Sequence, residues 1–284
     1  MEQKVLVSGY HGFIAGHLSK RLEQLGHKVV PIPRQYLGRI DLLTHFMNEE
    51  KPDYIFHLAA YGNHSTQEWE QMIFDTNVIG TWNMLMASKT IPYKKFVNFS
   101  TSSVLLEIQT LYSASKAAVE DLVNVFPKPI LTVRPYSIYG EGEADFRFIP
   151  TVIKCLVKDE LLFLDEYASH DWLVVDDFID ALLFVLEKNP QSFLPMRQHF
   201  DYPIVDIGSG KQSSNKEVVE ILEEIAGKRV RKQITDIVGK FRNYDTQNWV
   251  SSNKFLKKVE WEPKFTLRQG LEKTYQWYKN KYDK

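Results

Sequence analysis

The sequence predicts an α/β protein whose core is a doubly wound parallel sheet, and three observations support this fold class. Residues 1–140 alternate short apolar runs, which indicate buried strands, with segments of helical periodicity. A glycine turn joins the first strand to the first helix. The stretch Tyr112-Ser-Ala-Ser-Lys116 opens a helix after the fourth strand. Strands that alternate with helices form right-handed βαβ units, and these build a parallel sheet.

The bulk composition limits the class of protein. The chain has 284 residues and a formal net charge of -1, which gives no electrostatic reason to expect nucleic acid or an anionic membrane as a partner. Its single cysteine, Cys155, excludes an internal disulfide and is expected to lie buried in a helix. The first residues lead into a strand without a secretory leader, and no apolar run reaches the length of a membrane span. We therefore expect a soluble, cytoplasmic protein.

The first strand, residues 4–8, leads into the glycine turn Gly9-x-x-Gly12-x-x-Ala15 and then into a helix. Gly9 permits the tight turn, Gly12 lets the backbone approach a pyrophosphate, and Ala15 lets the helix pack closely on the strand. The helix N-terminus then faces the phosphates. The pattern predicts a dinucleotide-binding (Rossmann) domain. The spacing differs from Gly-x-Gly-x-x-Gly, and an ordinary strand-to-helix turn is the alternative.

The end of the second strand bears on which dinucleotide is bound. An acidic residue at this point would accept the adenosine ribose hydroxyls of NAD. After the strand predicted at 28–32, the sequence continues with Pro33-Arg34 and has no acid. Arg34 is placed to pair with a 2′-phosphate, which favours NADP(H) over NAD(H). A solvent-facing arginine is the alternative.

Tyr112 and Lys116 are the candidate catalytic pair. Residues four apart lie on the same face of a helix, so the Lys116 ammonium stabilises the Tyr112 phenolate and lowers the pKa of the phenol from about 10. Such a phenol can give a proton to a carbonyl oxygen, or take one from an alcohol, while hydride moves at the adjacent carbon. An ordinary amphipathic helix start is the alternative for this pair taken alone.

A polar loop follows the third strand. The apolar run at 54–60 predicts a buried parallel strand whose alanines leave room for a ligand. The loop at 62–65 comes at its carboxyl end, where substrates bind in such sheets. His57, within the strand, is expected to be a core histidine. The other histidines show no paired metal-ligand spacing, so we predict no metal site.

The second half of the chain is less regular. Helices are predicted at 146–158, 176–187, 215–226 and 267–278, strands at 161–164, 172–175 and 202–207, and a proline-containing connection at 189–201. We assign residues 1–145 to the dinucleotide-binding domain, with core segments from 170–190 and 202–210 completing it. Residues 146–284 are assigned mainly to a smaller C-terminal α/β subdomain that binds substrate.

Nine segments along nearly the whole chain together resemble the extended short-chain dehydrogenase/reductase superfamily, in its nucleotide-sugar epimerase/dehydratase/reductase branch. Each segment alone is weak evidence, but the nine segments occur in the same order as in the superfamily, and this order supports the resemblance. The segments are the glycine turn, His57-Leu-Ala-Ala60, Asn77-Val-Ile-Gly80-Thr81, Phe99-Ser-Thr101, Tyr112-x-x-x-Lys116, Arg134-Pro-x-Ser137-x-Tyr139-Gly140, Asp171-Trp-Leu-Val-Val-Asp176-Asp177, Ile207-Gly-Ser-Gly210 and Trp261-x-Pro263.

The resemblance implies roles by position. Tyr112 would be the catalytic acid/base, Lys116 would hold the nicotinamide ribose, and Thr101 would hydrogen-bond the reacting oxygen. The implied cofactor contacts are the pyrophosphate residues Gly9, Gly12, Phe13 and Ile14, the adenine residues Asp41 and Leu42, the central residues Leu58, Ala59 and Ala60, the nicotinamide-end residues Pro135 and Ser137, and also Asn77 and Lys116. The candidate substrate-binding residues are His64, Ser102, Arg147 and His170. Proteins of this branch commonly form homodimers through helices that include the one carrying the tyrosine.

Three departures from the branch carry information. Its sugar 4,6-dehydratases follow the threonine with an Asp-Glu pair that carries out the elimination. Here Ser102-Ser103 stand in that place, and a hydroxyl cannot replace a carboxylic acid in that step, so we expect no dehydratase activity. The segment between Val104 and Tyr112 is far shorter than usual. His170 stands where an arginine often contacts a nucleotide diphosphate.

The sequence favours NADPH-dependent reduction of a 4-keto-deoxyhexose nucleotide, a step of deoxysugar biosynthesis. Tyr112 would donate the proton and the nicotinamide the hydride. Arg34 and the compact chain favour this reaction, and the segment 148–156 resembles CDP-4-keto-3,6-dideoxyhexose reductases of the abequose-synthase type. One alternative is an NAD(P)-dependent nucleotide-sugar epimerase, and another is a catalytically silent NADP-binding sensor or scaffold. The nucleotide, the sugar and the product stereochemistry stay open.

Overall fold

The computed structural model describes residues 1–64, 66–107, 109–127, 130–188, 204–235 and 248–283. The chain divides into two compact units. Of the described residues, the first unit contains 1–135 with Ile204 and Val205, and the second contains the others from 136 onward. This division falls before the boundary expected at 145. The connection expected at 189–201 lies outside the described residues, and the assignment of substrate binding to the second unit stays a prediction.

A six-stranded sheet confirms the predicted fold class. Its first five strands are β1 (Lys4–Ser8), β2 (Lys28–Pro31), β3 (Tyr54–His57), β4 (Lys95–Phe99) and β5 (Ile130–Pro135). They pair in parallel, and the later strand Ile204–Ile207 lies beside β5. The order β5, β4, β3, β1, β2 reverses at β1, because β2 lies on one side of it and β3 on the other. That reversal defines a doubly wound sheet.

The five strands predicted within residues 1–140 are observed, and three of them are shorter than expected. The runs at 28–32, 54–60 and 94–100 are reduced to β2, β3 and β4. After His57, Leu58 N still donates to the main chain of β1 at Ser8 O (3.3 Å), whereas Ala59 N leaves the ladder and donates to the side chain of Ser8 (3.2 Å). Residues at the end of β3 are therefore free to form a loop at the carboxyl edge of the sheet.

The helices of the first unit are α1 (Phe13–Gln24), α2 (Ile40–Glu50), α3 (Glu70–Phe74), α4 (Gly80–Ser88) and α5 (Leu111–Asn124). The long helix predicted over 66–88 is observed from Glu70 to Ser88. A π-helical segment, Asp75–Ile79, interrupts it between α3 and α4. Such segments are often found at functional sites.

The second unit contains short strands and five helices among the described residues. The strands are β6 (Ser137–Tyr139), β7 (Leu162–Leu164), β8 (Ser169–His170), β9 (Trp172–Val174), β10 (Ile204–Ile207, shared with the large sheet), β11 (Ser213–Ser214) and β12 (Lys232–Ile234). The helices are α6 (Phe148–Lys158), α7 (Val175–Glu187), α8 (Asn215–Ala226), α9 (Lys254–Lys258) and α10 (Leu267–Tyr282). Cys155 is buried in α6, as predicted. Within the described ranges, every helix is too short or too polar to cross a membrane.

One buried carboxylate ties together loops of the second unit. Asp171 is 0% exposed and accepts hydrogen bonds from Ser209 N (2.5 Å), Ser209 Oγ (2.6 Å), Gly210 N (3.0 Å) and Ser251 N (2.8 Å). A Cβ on Gly208 would lie 2.4 Å from Asp171 Oδ2, so only glycine fits there. The Asp171 carboxylate thus depends on the Gly208-Ser-Gly210 turn for its hydrogen bonds, and the turn depends on Asp171 for its conformation.

Candidate active site

The reversal of strand order at β1 locates the site, because ligands of doubly wound sheets bind at the carboxyl ends of the strands at this point. Gly9 follows β1 and adopts a φ of +69°. A Cβ at Gly9 would lie 2.8 Å from Ala59 N, so a larger residue would collide with the chain leaving β3. Gly12 N donates to Gly9 O (2.8 Å) and closes the turn. Gly9 thus provides the tight turn that the sequence predicts.

The start of α1 fits a dinucleotide pyrophosphate. Gly12 is the exposed N-cap residue, and no side chain caps the helix. Phe13 and Ile14 form its half-buried first turn. The amide groups at this end and the helix dipole favour an anion. A Cβ at Gly12 would lie 3.1 Å from Gly9 O, which is a tight contact. Glycine avoids this contact, and without a side chain it lets a phosphate come close to the backbone.

The residues assigned to the adenosine end lie at the starts of two helical segments. Arg34 begins a short 3₁₀ helix directly after β2 and is exposed. Asp41 and the half-buried Leu42 lie in the first turn of α2. Asp41 is exposed and pairs with Arg39 (2.8 Å), whose hydrogen bond holds the pKa of the Asp41 carboxyl below its usual value. Their contacts with the adenosine stay predictions.

The other implied cofactor contacts lie at strand ends. Leu58 is half-buried, Ala59 is buried and Ala60 is exposed, all directly after β3. Pro135 ends β5 in the first unit. Ser137 begins β6 in the second unit, where its N donates to a backbone carbonyl (3.1 Å).

The helix α5 presents the candidate catalytic pair. A capping box fixes its start, because Thr110 Oγ1 accepts from Ser113 N (3.1 Å) and Ser113 Oγ accepts from Thr110 N (2.8 Å). Tyr112 is half-buried, and Lys116 one turn later is 2% exposed. Burial lowers the pKa of Lys116 to about 8, although the nearby Glu120 acts to raise it. The ammonium is therefore the main form at neutral pH and can stabilise a phenolate.

Thr101 follows β4 and caps a 3₁₀ helix, Ser102–Leu105. Its Oγ1 accepts from Ser103 N (3.2 Å) and donates to Ser103 Oγ (3.1 Å). Thr101 is half-buried, whereas Ser102 is 2% exposed. The hydrogen bond from Thr101 to a reacting oxygen stays a prediction, and it requires the hydroxyl to turn from Ser103 to the substrate.

A chain of buried hydrogen bonds beneath the site fixes the tautomer of His57. Thr81 Oγ1 donates to Asn77 O (2.6 Å), so it accepts from His57 Nε2 (2.9 Å). His57 therefore carries its proton on Nε2, and its Nδ1 accepts from Ser8 Oγ (2.7 Å). Burial lowers the pKa of His57 to about 3, and the charge of Lys116 acts in the same direction. His57 is a neutral core histidine, as the sequence predicts.

Asn77 joins this chain to α5 from the π-helical segment. Its Oδ1 accepts from Tyr61 N, and its Nδ2 donates to Tyr61 O and to Ser115 Oγ, each at 2.9 Å. Ser115 Oγ donates in turn to Tyr112 O (2.7 Å). Asn77 is 0% exposed and both of its amide donors are used within the protein. Asn77 therefore positions the Tyr112 turn, and its contact with the cofactor stays a prediction.

Sequence reasoning missed three members of this chain, namely Ser8, Thr81 and Ser115. Each is a small polar residue that is buried among apolar neighbours, with 0%, 0% and 6% of its surface exposed. A polar side chain at a buried strand or helix position is the signal that could have found them, because such a group requires a hydrogen-bond partner.

Two of the candidate substrate-binding residues lie in the first unit. His64 is half-buried in the loop after β3, and Ser102 is buried in the 3₁₀ helix after β4. In the second unit, the half-buried Arg147 is the N-cap residue of α6. The part that each would have in substrate binding stays a prediction.

His170 in the second unit is a packing residue. It is 7% exposed, and its ring centroid lies 4.9 Å from that of Trp172 and 5.4 Å from that of Trp249. This aromatic cluster holds the imidazole in place, and the substrate contact expected for His170 stays a prediction. Within the described residues there is no group of three or more His, Cys, Asp or Glu side chains that could hold a metal ion.

The strand order, the glycine turn and the Tyr112–Lys116 pair are those of the extended short-chain dehydrogenase/reductase class, and the predicted resemblance is confirmed. Residues 5–194 match the model of the NAD dependent epimerase/dehydratase family. The match spans more than half of the chain, so this protein belongs to that family.

Relatives act on nucleotide-linked sugars. A UDP-glucuronate 4-epimerase from Thermodesulfobacterium geofontis is 28% identical over 249 residues, which cover 79% of this chain and 72% of the relative. A dTDP-glucose 4,6-dehydratase from Xanthomonas campestris pv. campestris is 26% identical over 334 residues, covering 96% and 92%. The crystal structure of a UDP-glucuronic acid 4-epimerase from Bacillus cereus, in complex with UDP-glucuronic acid and NAD, matches with a TM-score of 0.80 and 25% identity, covering 98% of this chain and 100% of that one.

Replacing Asn77 by Asp tests the support beneath Tyr112. The carboxylate cannot donate to Tyr61 O or to Ser115, and it brings an unpaired charge into a buried position. We expect the free energy of unfolding, measured by urea denaturation, to fall by about 3 kcal/mol. Asn48→Asp is the matched control, since Asn48 is exposed and donates to Thr44 O and Thr90 Oγ1. Its loss should stay below about 1 kcal/mol, and equal losses in the two variants would contradict this account of Asn77.

Proposed function

We propose that this protein is an NAD(P)-dependent nucleotide-sugar epimerase that inverts C4 of its sugar. The observation that carries the proposal is the Tyr112–Lys116 pair on one face of α5, together with Thr101 and without carboxylic acids beside it. The resemblance to a UDP-glucuronate 4-epimerase supports it. This reaction therefore replaces the 4-ketoreductase, which the sequence alone favours, as the first candidate.

The residues of the site suit a reversible proton transfer at the C4 oxygen. A bound nicotinamide dinucleotide would supply the reversible hydride acceptor, and the glycine turn with the start of α1 would hold its pyrophosphate. Tyr112 takes the proton of the C4 hydroxyl while the C4–H bond breaks, and it returns the proton when that bond forms again on the other face. Lys116 lowers the energy of the phenolate, and Thr101 donates a hydrogen bond to the same oxygen. Proton and hydride both return, so no cofactor is consumed.

The two serines after Thr101 speak against a dehydratase. Elimination of water from a sugar needs an acid to protonate the departing hydroxyl. Ser102 is 2% exposed, and Ser103 is hydrogen-bonded to Thr101 through both its N and its Oγ. Neither side chain offers a carboxylic acid. We therefore propose that the chain lacks dehydratase activity, although dehydratases are among its relatives.

A 4-ketoreductase is the second candidate, because the end of β2 favours NADP(H). Arg34 is exposed directly after this strand, and no acid stands there to accept the ribose hydroxyls. A reductase uses the same half-reaction as the epimerase and the same roles for Tyr112 and Lys116. A silent sensor would have no need for Thr101, Tyr112 and Lys116 together.

An assay of sugar products and cofactor together tests the reaction. We expect UDP-glucuronate, or another UDP- or dTDP-linked hexose of a small panel, to be converted to its C4 epimer without net loss of NADH or NADPH. Tyr112→Phe should lower turnover by at least about 100-fold, because the proton acceptor is lost, and should keep the Kd for the dinucleotide. Stoichiometric loss of NADPH with a new alcohol would instead identify the ketoreductase. Bound cofactor with every sugar unchanged would contradict both reactions.

Arg34→Glu tests the cofactor preference. If Arg34 pairs with the 2′-phosphate, this variant loses about tenfold or more in affinity for NADPH, because a charge-assisted contact becomes a repulsion. Affinity for NADH should change little or improve. Fluorescence titration with each dinucleotide gives both constants, and Arg21→Glu, at an exposed position of α1, is the control for net charge. Equal affinities of wild-type protein and Arg34→Glu for NADPH would leave Arg34 as a solvent-facing arginine.

We also propose that the protein forms a homodimer through a surface of the first unit that carries exposed aromatic and aliphatic side chains. Trp69, Phe74 and Leu111 are 64%, 47% and 46% exposed, and together with Glu68, Glu70 and Gln71 they line one shallow depression between the start of α3 and the start of α5. Trp82 on α4 is 39% exposed. Grouped exposed side chains of this size mark an interaction surface, and a twofold axis would place the surface against its own copy.

Trp69→Glu should convert the dimer to a monomer, because it replaces the most exposed aromatic side chain of the proposed interface by a further charge. Sedimentation velocity over a range of concentrations gives the mass of each species. Phe163→Glu is the matched control, since Phe163 on β7 is also 64% exposed but belongs to the second unit. A monomeric wild type, or a dimer that survives Trp69→Glu, would count against this surface.

A further inference from the structure

A bidentate ion pair lies buried between α5 and β5, and the proposed reaction assigns no role to it. Arg134 Nε donates to Glu120 Oε1 (2.8 Å), and Arg134 Nη2 donates to Glu120 Oε2 (2.5 Å). The two side chains are 17% and 7% exposed. The fork of the guanidinium holds both carboxylate oxygens, so Glu120 has one fixed orientation.

The position of Glu120 relates it to the candidate catalytic pair. Glu120 follows Lys116 by four residues, and Lys116 follows Tyr112 by four. Residues at this spacing lie one above the other on one face of a helix. A phenol, an ammonium and a carboxylate therefore follow one another along α5, and the guanidinium of Arg134 completes the row from β5.

The other titratable groups near Lys116 do not supply a compensating negative charge. His57 on β3 is neutral, because burial lowers its pKa to about 3. Glu70 on α3 and Asp75 on the π-helical segment are exposed, and Asp75 accepts a hydrogen bond from Gln71. Tyr112 is itself the group that Lys116 has to influence. Among the described residues, Glu120 is thus the buried carboxylate placed to act on Lys116.

A buried ammonium loses its proton readily unless a neighbouring anion supports it, and burial does lower the pKa of Lys116. We propose that Glu120, oriented by Arg134, is a positioning residue that keeps Lys116 protonated over the pH range in which Tyr112 works. Arg134 acts through Glu120, because its two hydrogen bonds fix the orientation of the carboxylate. The catalytic meaning of this role rests on the proposed function, whereas the protonation of Lys116 can be measured without substrate or cofactor.

The test is an NMR titration of the full chain labelled with ¹³C-lysine, in which the Lys116 Cε signal is assigned by its absence in Lys116→Met. In Glu120→Gln we expect the midpoint of the Lys116 titration to move about one pH unit lower, because the negative charge of the carboxylate is lost while the positive charge of Arg134 remains. In Arg134→Met the midpoint should stay at the wild-type value or rise. Both variants break the same buried pair, so both should melt at lower temperature than the wild type.

The double variant Glu120→Gln with Arg134→Met separates stability from protonation. It removes both charges of the buried pair and not one of them alone, so its melting temperature should recover towards that of the wild type. Its Lys116 midpoint should remain low, because Glu120 is still absent. If Glu120→Gln fails to fold, the Lys116 midpoint of the double variant tests the proposal in its place.

Two results would overturn the proposal: a wild-type midpoint in Glu120→Gln or in the double variant, and an equal lowering of the midpoint in both single variants. The second result would mean that disruption of the pair, and not the charge of Glu120, moves the titration. The alkaline limb of kcat/KM should shift with the midpoint. If no sugar is turned over by the wild type, the proposed function fails while the titration still decides the role of Glu120.

Discussion

The geometry of the candidate site depends on the hydrogen bonds of one buried amide, that of Asn77. It holds the main chain of Tyr61 after β3 on one side and Ser115, in the turn of Tyr112, on the other, with three bonds of 2.9 Å. The π-helical segment places Asn77 where it reaches both. Asn77 is 0% exposed, so water cannot replace the two hydrogen bonds that its Nδ2 donates. A substitution of Asn77 therefore leaves buried polar groups unpaired, and the loop after β3 and the start of α5 lose the side chain that connects them.

Near the Asn77 amide, Lys116 is the charged group that acts on Tyr112, because His57 is neutral. His57 is held neutral, since Ser8 donates to its Nδ1 and its Nε2 donates to Thr81. Lys116 keeps its charge at neutral pH despite burial, with a pKa of about 8. An imidazolium beside Lys116 would make protonation of the lysine harder. The hydrogen bonds that fix the tautomer of His57 therefore also protect the charge that the acid/base chemistry requires.

The parts of the fold that could be predicted are those that depend on local pattern. The glycine turn, the parallel strands and the position of α5 follow from apolar runs, small residues and helical spacing, and all are observed. The π-helical segment could not be predicted, because it is favoured by the partners that Asn77 finds in space. The packing of His170 could not be predicted either, because its contact with Trp249 depends on a segment far along the chain.

The choice of reaction could not be derived from the site residues, because an epimerase and a ketoreductase use the same tyrosine and lysine. The direct measurement follows deuterium at C4 of the sugar. With C4-deuterated UDP-glucuronate, or whichever hexose of the panel reacts, an epimerase that returns the same hydride gives a C4 epimer that retains its deuterium, with none in the free dinucleotide. Deuterium that appears in released dinucleotide or in solvent would contradict the central claim that Tyr112 serves a reversible oxidation at C4 within one binding event.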